Sequence, residues 1–219
     1  MQYLSKWTMK RFIIYIGILV AAISCRPQHR NLQSGDLLFQ VGKGSEMEQA
    51  ITTATEQHNT LNFTHVGIAI LKEGADSVLE ATSEGGVRMT AMEEFLQRAA
   101  QDKKGRPLVV AMRLRDTAGL AASVRRARAC LGLPYDYAFG PDNGKYYCSE
   151  LIWENYRTPD SVRRFTARPM NFRAPDGTMP HFWVELFEQL GEPIPEGIPG
   201  TNPNGMAQDP QLQEVGRWF

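Results

Sequence analysis

Cysteine and histidine are scarce in this chain: three Cys and four His among 219 residues. Three cysteines cannot build a disulfide framework. There is no Cys-x-x-Cys and no His-Glu-x-x-His, the local spacings from which zinc sites are usually made. Net charge is also missing, because 24 Lys and Arg balance 24 Asp and Glu. The first 25 residues hold Lys6, Lys10 and Arg11 and no acid, so the remainder carries a net −3. No basic excess is left to bind phosphates, which sets nucleic-acid partners aside. No internal repeat is visible. The one long apolar run, Phe12 to Ile23, has twelve residues, short of the ~20 that span a bilayer as a helix.

That run follows Lys10-Arg11 and has the form of a secretory signal, with Met9 as an alternative start. It closes on Ala22-Ile23-Ser24-Cys25. Small residues before a Cys resemble a bacterial lipobox, although Ala22 stands where Leu is usual. The other reading is an ordinary signal with an incidental Cys. The expectation is a lipoprotein signal over residues 1–25, lipidation of Cys25, and a polar tether over 26–34. Acyl chains would then hold the protein to a membrane of the cell envelope, on its periplasmic side, without a spanning helix.

From Gly35 to Phe219 no linker is long enough to divide the chain, and the pattern is that of one α+β domain. Leu37 to Val41, Phe63 to Leu71, Asp76 to Thr82, Gly86 to Thr90 and Pro107 to Leu114 read as strands. Ser45 with Glu48, and Thr90 with Glu93, have capping-box spacing, which predicts helices over 45–57 and from Thr90 to Ala100. Thr117 to Leu131 carries a helical apolar stripe at Leu120, Val124, Ala127 and Leu131. Tyr146 to Tyr156 and Pro180 to Leu190 are further helices by pattern. The remainder, Gly191 to Phe219, is rich in Pro, Gly and Asn.

Cys148 falls where a turn gives way to a helix. The free N–H groups and dipole of a helix start stabilise a thiolate, the nucleophilic form. Cys130 lies late in the preceding helix beside Leu131 and reads as a small buried hydrophobe. A thiol nucleophile needs a base, usually His. His29 lies in the tether, His58 in a polar loop, and His181 near the start of a late helix. Only His65 opens a buried strand, with Gly67 two residues on and on the same face. A short hairpin from Leu71 to Ser77 would bring Glu80 back beside His65 as the group that holds the imidazole. Pattern alone leaves Glu80 equally well a solvated strand end.

Five segments then occur in one order: Gly35-Asp36-Leu37-Leu38-Phe39, Thr64-His65-Val66-Gly67, Leu79-Glu80-Ala81, Leu131-Gly132-Leu133-Pro134-Tyr135-Asp136 and Tyr147-Cys148-Ser149-Glu150-Leu151-Ile152-Trp153. In this the chain resembles the YiiX-like branch of the circularly permuted NlpC-type papain-like cysteine hydrolases, from Gly35 to about Leu190. The resemblance implies a central antiparallel, barrel-like sheet packed by helices. It implies Cys148 as nucleophile, His65 as base and then acid, Glu80 as orienting residue and Tyr135 near the oxyanion. Asp36, Ser149 and Glu150 match too, but a turn and a helix cap account for them. The implied activity is amide hydrolysis in the cell envelope on cell-wall peptides or other small amides, with no cofactor and no metal. Permuted relatives include lipid acyltransferases, so lipid amide hydrolysis or acyl transfer is the alternative among enzymes. A binding lipoprotein without turnover is the alternative outside them. A metal held by Cys148, His65 and Glu80 is a further alternative that the spacing does not favour.

Overall fold

The computed structural model describes residues 32–55, 61–72 and 75–219. The expected signal, Cys25, His29, the tether as far as residue 31 and His58 lie outside the described residues. Six antiparallel strands form the main sheet: β1 (Leu37–Gln40), β2 (His65–Ile70), β3 (Ser77–Thr82), β4 (Gly86–Ala91), β5 (Val109–Leu114) and β8 (Leu212–Arg217). Their order is β4-β3-β2-β1-β5-β8, and the sheet is open at β4 and β8. A small second sheet pairs β6 (Arg168–Pro169) with β7 (Pro199–Gly200). Among the described residues six helices pack around them: α1 (Glu46–Thr55), α2 (Met92–Arg98), α3 (Leu120–Ala129), α4 (Cys148–Asn155), α5 (His181–Leu190) and α6 (Pro203–Ala207).

The period of two along each strand sorts side chains between the faces. Leu37, Phe39, Val66, Ile68, Leu79 and Ala81 pack with Leu151 and Ile152 of α4. Leu38, Ala69, Val78, Val109 and Ala111 face the other way, onto Phe95 of α2 and Trp218. Each large apolar side chain so buried contributes about 1.5–3 kcal/mol. Helix α4 is covered on nearly every side, all of its residues except Glu154 being buried. A third cluster joins α1 and α5 through Ala50, Phe139, Tyr147, Phe172, Trp183 and Phe187. Its rings meet edge to face, as Phe172 and Trp183 do at 5.1 Å and 89°, the favoured aromatic geometry.

The capping box at Ser45 and Glu48 forms, with Ser45 N donating to Glu48 Oε2 at 2.8 Å and Glu48 N to Ser45 Oγ at 3.4 Å. The one expected at Thr90 and Glu93 does not. Thr90 ends up in β4, the N-cap of α2 is Ala91, and no side chain caps it. The Thr90 hydroxyl donates instead to Glu80. Helix α4 begins at Cys148 rather than Tyr146, because Tyr146 is held in a bridge with Tyr135. The stretch from Gly191 onward is more regular than its composition suggests, holding β7, α6 and β8. Strand β8 has one partner, β5, and only Leu212 in it is buried. It therefore lacks the apolar alternation by which strands are recognised.

Candidate active site

Cys148 is the first residue of α4, almost fully buried, after an extended Tyr147 at the N-cap. Tyr147 N donates to Glu150 Oε2 at 3.3 Å, which closes the helix start. His65 is the first residue of β2, at the end of the sheet. Its Nε2 lies 2.6 Å from Glu80 Oε2, and it lines one groove with Cys148, close enough for the thiol to raise the ring's pKa. Nδ1 is the nitrogen left for the sulfur. The sheet thus brings together three residues separated by 15 and 68 positions.

Gly67 makes the approach of β3 possible. A Cβ there would stand 2.4 Å from Val78 Cγ1 and 3.3 Å from Glu80 Cβ. The Glu80 carboxylate is fully buried and held on both oxygens. Oε2 takes His65, while Oε1 accepts from Thr90 Oγ1 at 2.5 Å and from Arg98 Nη2.

Burial alone would raise the Glu80 carboxyl, but the hydrogen bond and charge of His65, the charge of Arg98 and the Thr90 hydroxyl bring it down to about 2. Burial also opposes a charged His65. The hydrogen bonds to Cys148 and Glu80, with their negative charges, outweigh it and lift the ring to about 10. Tyr135 sits half-buried in the loop bridged to Tyr146. Burial and the charge of Cys148 push its phenol well above the usual value, so it stays protonated. Glu150 is raised to about 8, first by burial and then by the charge of Asp136.

Two spaces open beside Cys148. One is an apolar pocket walled by Ile51, Phe139, Tyr147, Met170, Phe172 and Trp183. The other is a polar groove along Gln40, Lys43, Glu48, Thr82, Glu84 and Arg98. Cys148 and Tyr135 border both.

Other candidates fall elsewhere. Cys130 is buried at the end of α3, with Asn155 Nδ2 3.7 Å from its sulfur. His181 is exposed and paired with Glu185 at 3.4 Å. Asp36 bonds locally to Gln33 N, as a turn residue does, but its chief partner is Arg113, through Nε to Oδ1 at 2.7 Å and Nη2 to Oδ2 at 2.8 Å. Ser149 does not cap the helix: its hydroxyl lies 3.1 Å from Thr201 Oγ1, and Thr201 N donates to Tyr147 OH at 3.1 Å. Phe63 N donates to the buried Asn204 Oδ1 at 2.6 Å. Thr90, Arg98, Thr201 and Asn204 were not legible as site neighbours. Only the hydroxyl and guanidinium near Glu93 in the sequence could have hinted at the first two.

Chain order defines the class. In papain-like hydrolases of ordinary order the histidine follows the cysteine; here it comes 83 residues earlier yet lines one groove with the head of the buried helix, as in a permuted papain-like enzyme. The model of the family described as permuted papain-like amidase enzyme, YaeF/YiiX, C92 family matches residues 31–216, and the chain belongs to that family. It is therefore a papain-like cysteine amidase or peptidase, acting on amide bonds. The chain is 26% identical over 216 residues to YiiX of Escherichia coli strain K12, a protein described as uncharacterized, covering 95% of this chain and 96% of that one. A crystal structure of YiiX from Escherichia coli O157:H7, described as a metalloprotein, superposes with a TM-score of 0.65 at 25% identity, covering 84% of this chain and 97% of that one.

Proposed function

We propose that Cys148, His65 and Glu80 hydrolyse an amide through an acyl-enzyme. The observation that carries this is the His65 ring, bonded to Glu80 at 2.6 Å through Nε2 and lining one groove with Cys148. The Cys148 sulfur attacks the carbonyl carbon. As the C–S bond forms and the C–N bond breaks, His65 gives its proton to the leaving amine. His65 then takes a proton from water as the water attacks the thioester carbonyl; the C–S bond breaks, the acid leaves and the Cys148 thiolate is restored beside the protonated ring. Backbone N–H groups at the start of α4 and the Tyr135 phenol face the developing oxyanion. Glu80 holds the imidazole in place and stabilises its charge.

The substrates are cell-wall peptides or other small amides. Lipid on Cys25 keeps the enzyme in the cell envelope. The apolar pocket at Cys148 favours a second reading, in which the acyl part of a lipid amide enters that pocket. Transfer to another acceptor would use the same acyl-enzyme.

The word metalloprotein, used of the crystallised YiiX, raises the question of a metal here. His65 Nε2 and both Glu80 oxygens are engaged, which leaves only Nδ1 and the Cys148 sulfur of these three residues as open donors. Among the described residues no three His, Cys, Asp or Glu side chains are grouped to hold an ion. Two donors fall short of the three or four that a zinc site takes from protein, so no step runs through a metal.

The test uses the full chain with p-nitrophenyl acetate and, separately, with a peptidoglycan stem peptide. A burst of p-nitrophenol and an acetyl adduct on the Cys148 peptide by mass spectrometry are expected, both absent in Cys148→Ala. Neither burst nor adduct in the wild type would replace the enzyme reading with that of a binding lipoprotein.

A further inference from the structure

Glu80 is shared. His65 takes one oxygen, and Arg98 with Thr90 takes the other. The Thr90 end is fixed independently. Arg88 Nε donates to Thr90 Oγ1 at 3.0 Å, which occupies the hydroxyl's acceptor side and turns its proton toward Glu80. Arg88 is itself paired with Glu94 and stands directly across the β3–β4 ladder from Glu80. One donor to Oε1 is therefore locked in place without Arg98.

Arg98 is held differently from a structural arginine. Asp36 and Arg113 make the bidentate fork expected of such a pair. Arg98 reaches Glu80 through Nη2 alone, while its Nε is buried without a partner. Its side chain is 36% exposed on the wall of the polar groove beside Cys148, and its guanidinium lies over Phe95, the ring that also touches His65. The charged and titratable groups around Glu80 are then His65 from β2, Arg88 from β4, and Arg98 and Glu94 from α2. Of these only His65 and Arg98 touch the carboxylate.

We propose that Arg98 is a positioning residue that acts through Glu80: it offsets part of the carboxylate charge and so keeps the His65 proton transferable. A carboxylate with no cation but His65 in contact with it would hold the imidazolium too firmly. The ring could then not give its proton to the leaving amine, nor recover the neutral form that activates water. The inference rests on the acid–base role given to His65 above.

The experiment separates the two. His65 is followed by NMR of histidine-labelled full-length protein in a Cys148→Ala background. This removes the strongest of the contacts that raise the ring, so the titration falls closer to neutral. Adding Arg98→Met should move the His65 midpoint upward by about one pH unit, the effect of one lost cation near a partly exposed site. Arg98→Lys keeps the charge and should return it close to the parent value. An unmoved midpoint, or one moved downward, would overturn the proposal, the latter because it would make Arg98 a holder of the Glu80 orientation only. With Cys148 present, Arg98→Met should cut the rate of p-nitrophenol release near neutral pH about tenfold, with KM little changed and the loss recovered at higher pH. A wild type that gives no burst would count against the hydrolase reading, while the titration would still decide the role of Arg98.

Discussion

Glu80→Gln offers the sharpest energetic test of the site. The substitution keeps size and shape at a fully buried position and removes only the charge. The folded carboxyl stands at about 2 against an ordinary 4.5. At ~1.4 kcal/mol per pH unit that difference amounts to about 3 kcal/mol of stability, within the range of about 3–5 kcal/mol for breaking a buried pair. A lowered carboxyl contributes fully above its unfolded value, here 4.5, and loses that contribution as pH falls through about 2. His65 works in the opposite sense. Raised from 6.5 to about 10, it contributes fully below 6.5 and loses that contribution as pH climbs to about 10. Glu80 supplies one part of that rise and Cys148 the other, so the cost of Glu80→Gln should be largest between about pH 4.5 and 6.5 and shrink on either side. Thermal unfolding followed by circular dichroism near pH 5.5 should show the variant melting lower by about 6–20 °C for a chain of this size. The gap should narrow near pH 9.5. A loss below about 1 kcal/mol near pH 5.5, or an equal loss at both pH values, would refute a charged Glu80–His65 pair.

Cys148 should react with iodoacetamide near pH 6.5 much faster than the buried Cys130, and His65→Ala should slow it; mass spectrometry of the alkylated peptides reads both, and equal slow labelling of the two would sink the activated thiol. Glu150, raised to about 8 chiefly by burial, is neutral when folded but ionises at about 4.5 when unfolded, so stability falls as pH rises through that interval. Glu150→Gln stays neutral and still accepts from Tyr147 N, so near pH 8 it should unfold at higher urea than the wild type; a lower midpoint there would mean that Glu150 is charged. Gly67→Ala forces a methyl against Val78 and should cost about 1–3 kcal/mol, measured by urea unfolding, with no loss counting against the tight β2–β3 approach. If Cys25 carries lipid, a fatty-acid probe should label the expressed protein and fail to label Cys25→Ala; label that persists would end that assignment.

Much of this was legible from the residues. The five strands from Leu37 to Leu114 declare themselves by short apolar runs, and the hairpin length between Leu71 and Ser77 brings Glu80 to His65 once the sheet is antiparallel. The hidden part involves partners distant in sequence or disguised by local pattern. Thr90 and Glu93 have the spacing of a capping box, yet the strand claims Thr90 and a buried carboxylate takes its hydroxyl. Local propensity lost there to a buried carboxylate that takes the hydroxyl as one of its donors. Asp36 shows its turn role in sequence but not its fork to Arg113, 77 residues away. Thr201 and Asn204 lie in a segment rich in turn formers, and nothing local shows that they contact the nucleophile helix and the start of β2.

Those last contacts impose an order in time. Asn204 bonds across 141 residues to Phe63, Thr201 across 52 to Ser149, and β8 joins the sheet only after both. Closing such long loops comes late in folding, since their entropy must be lost before the contacts repay it. A chain growing from the ribosome, or threading a membrane from its N-terminus, has the cysteine, the histidine and the glutamate well before it has the segment that braces them. The histidine and the glutamate are thus made first, the thiol after them and the bracing last, so any ribosome stalled before residue 201 yields a chain with every proposed catalytic residue and no finished site.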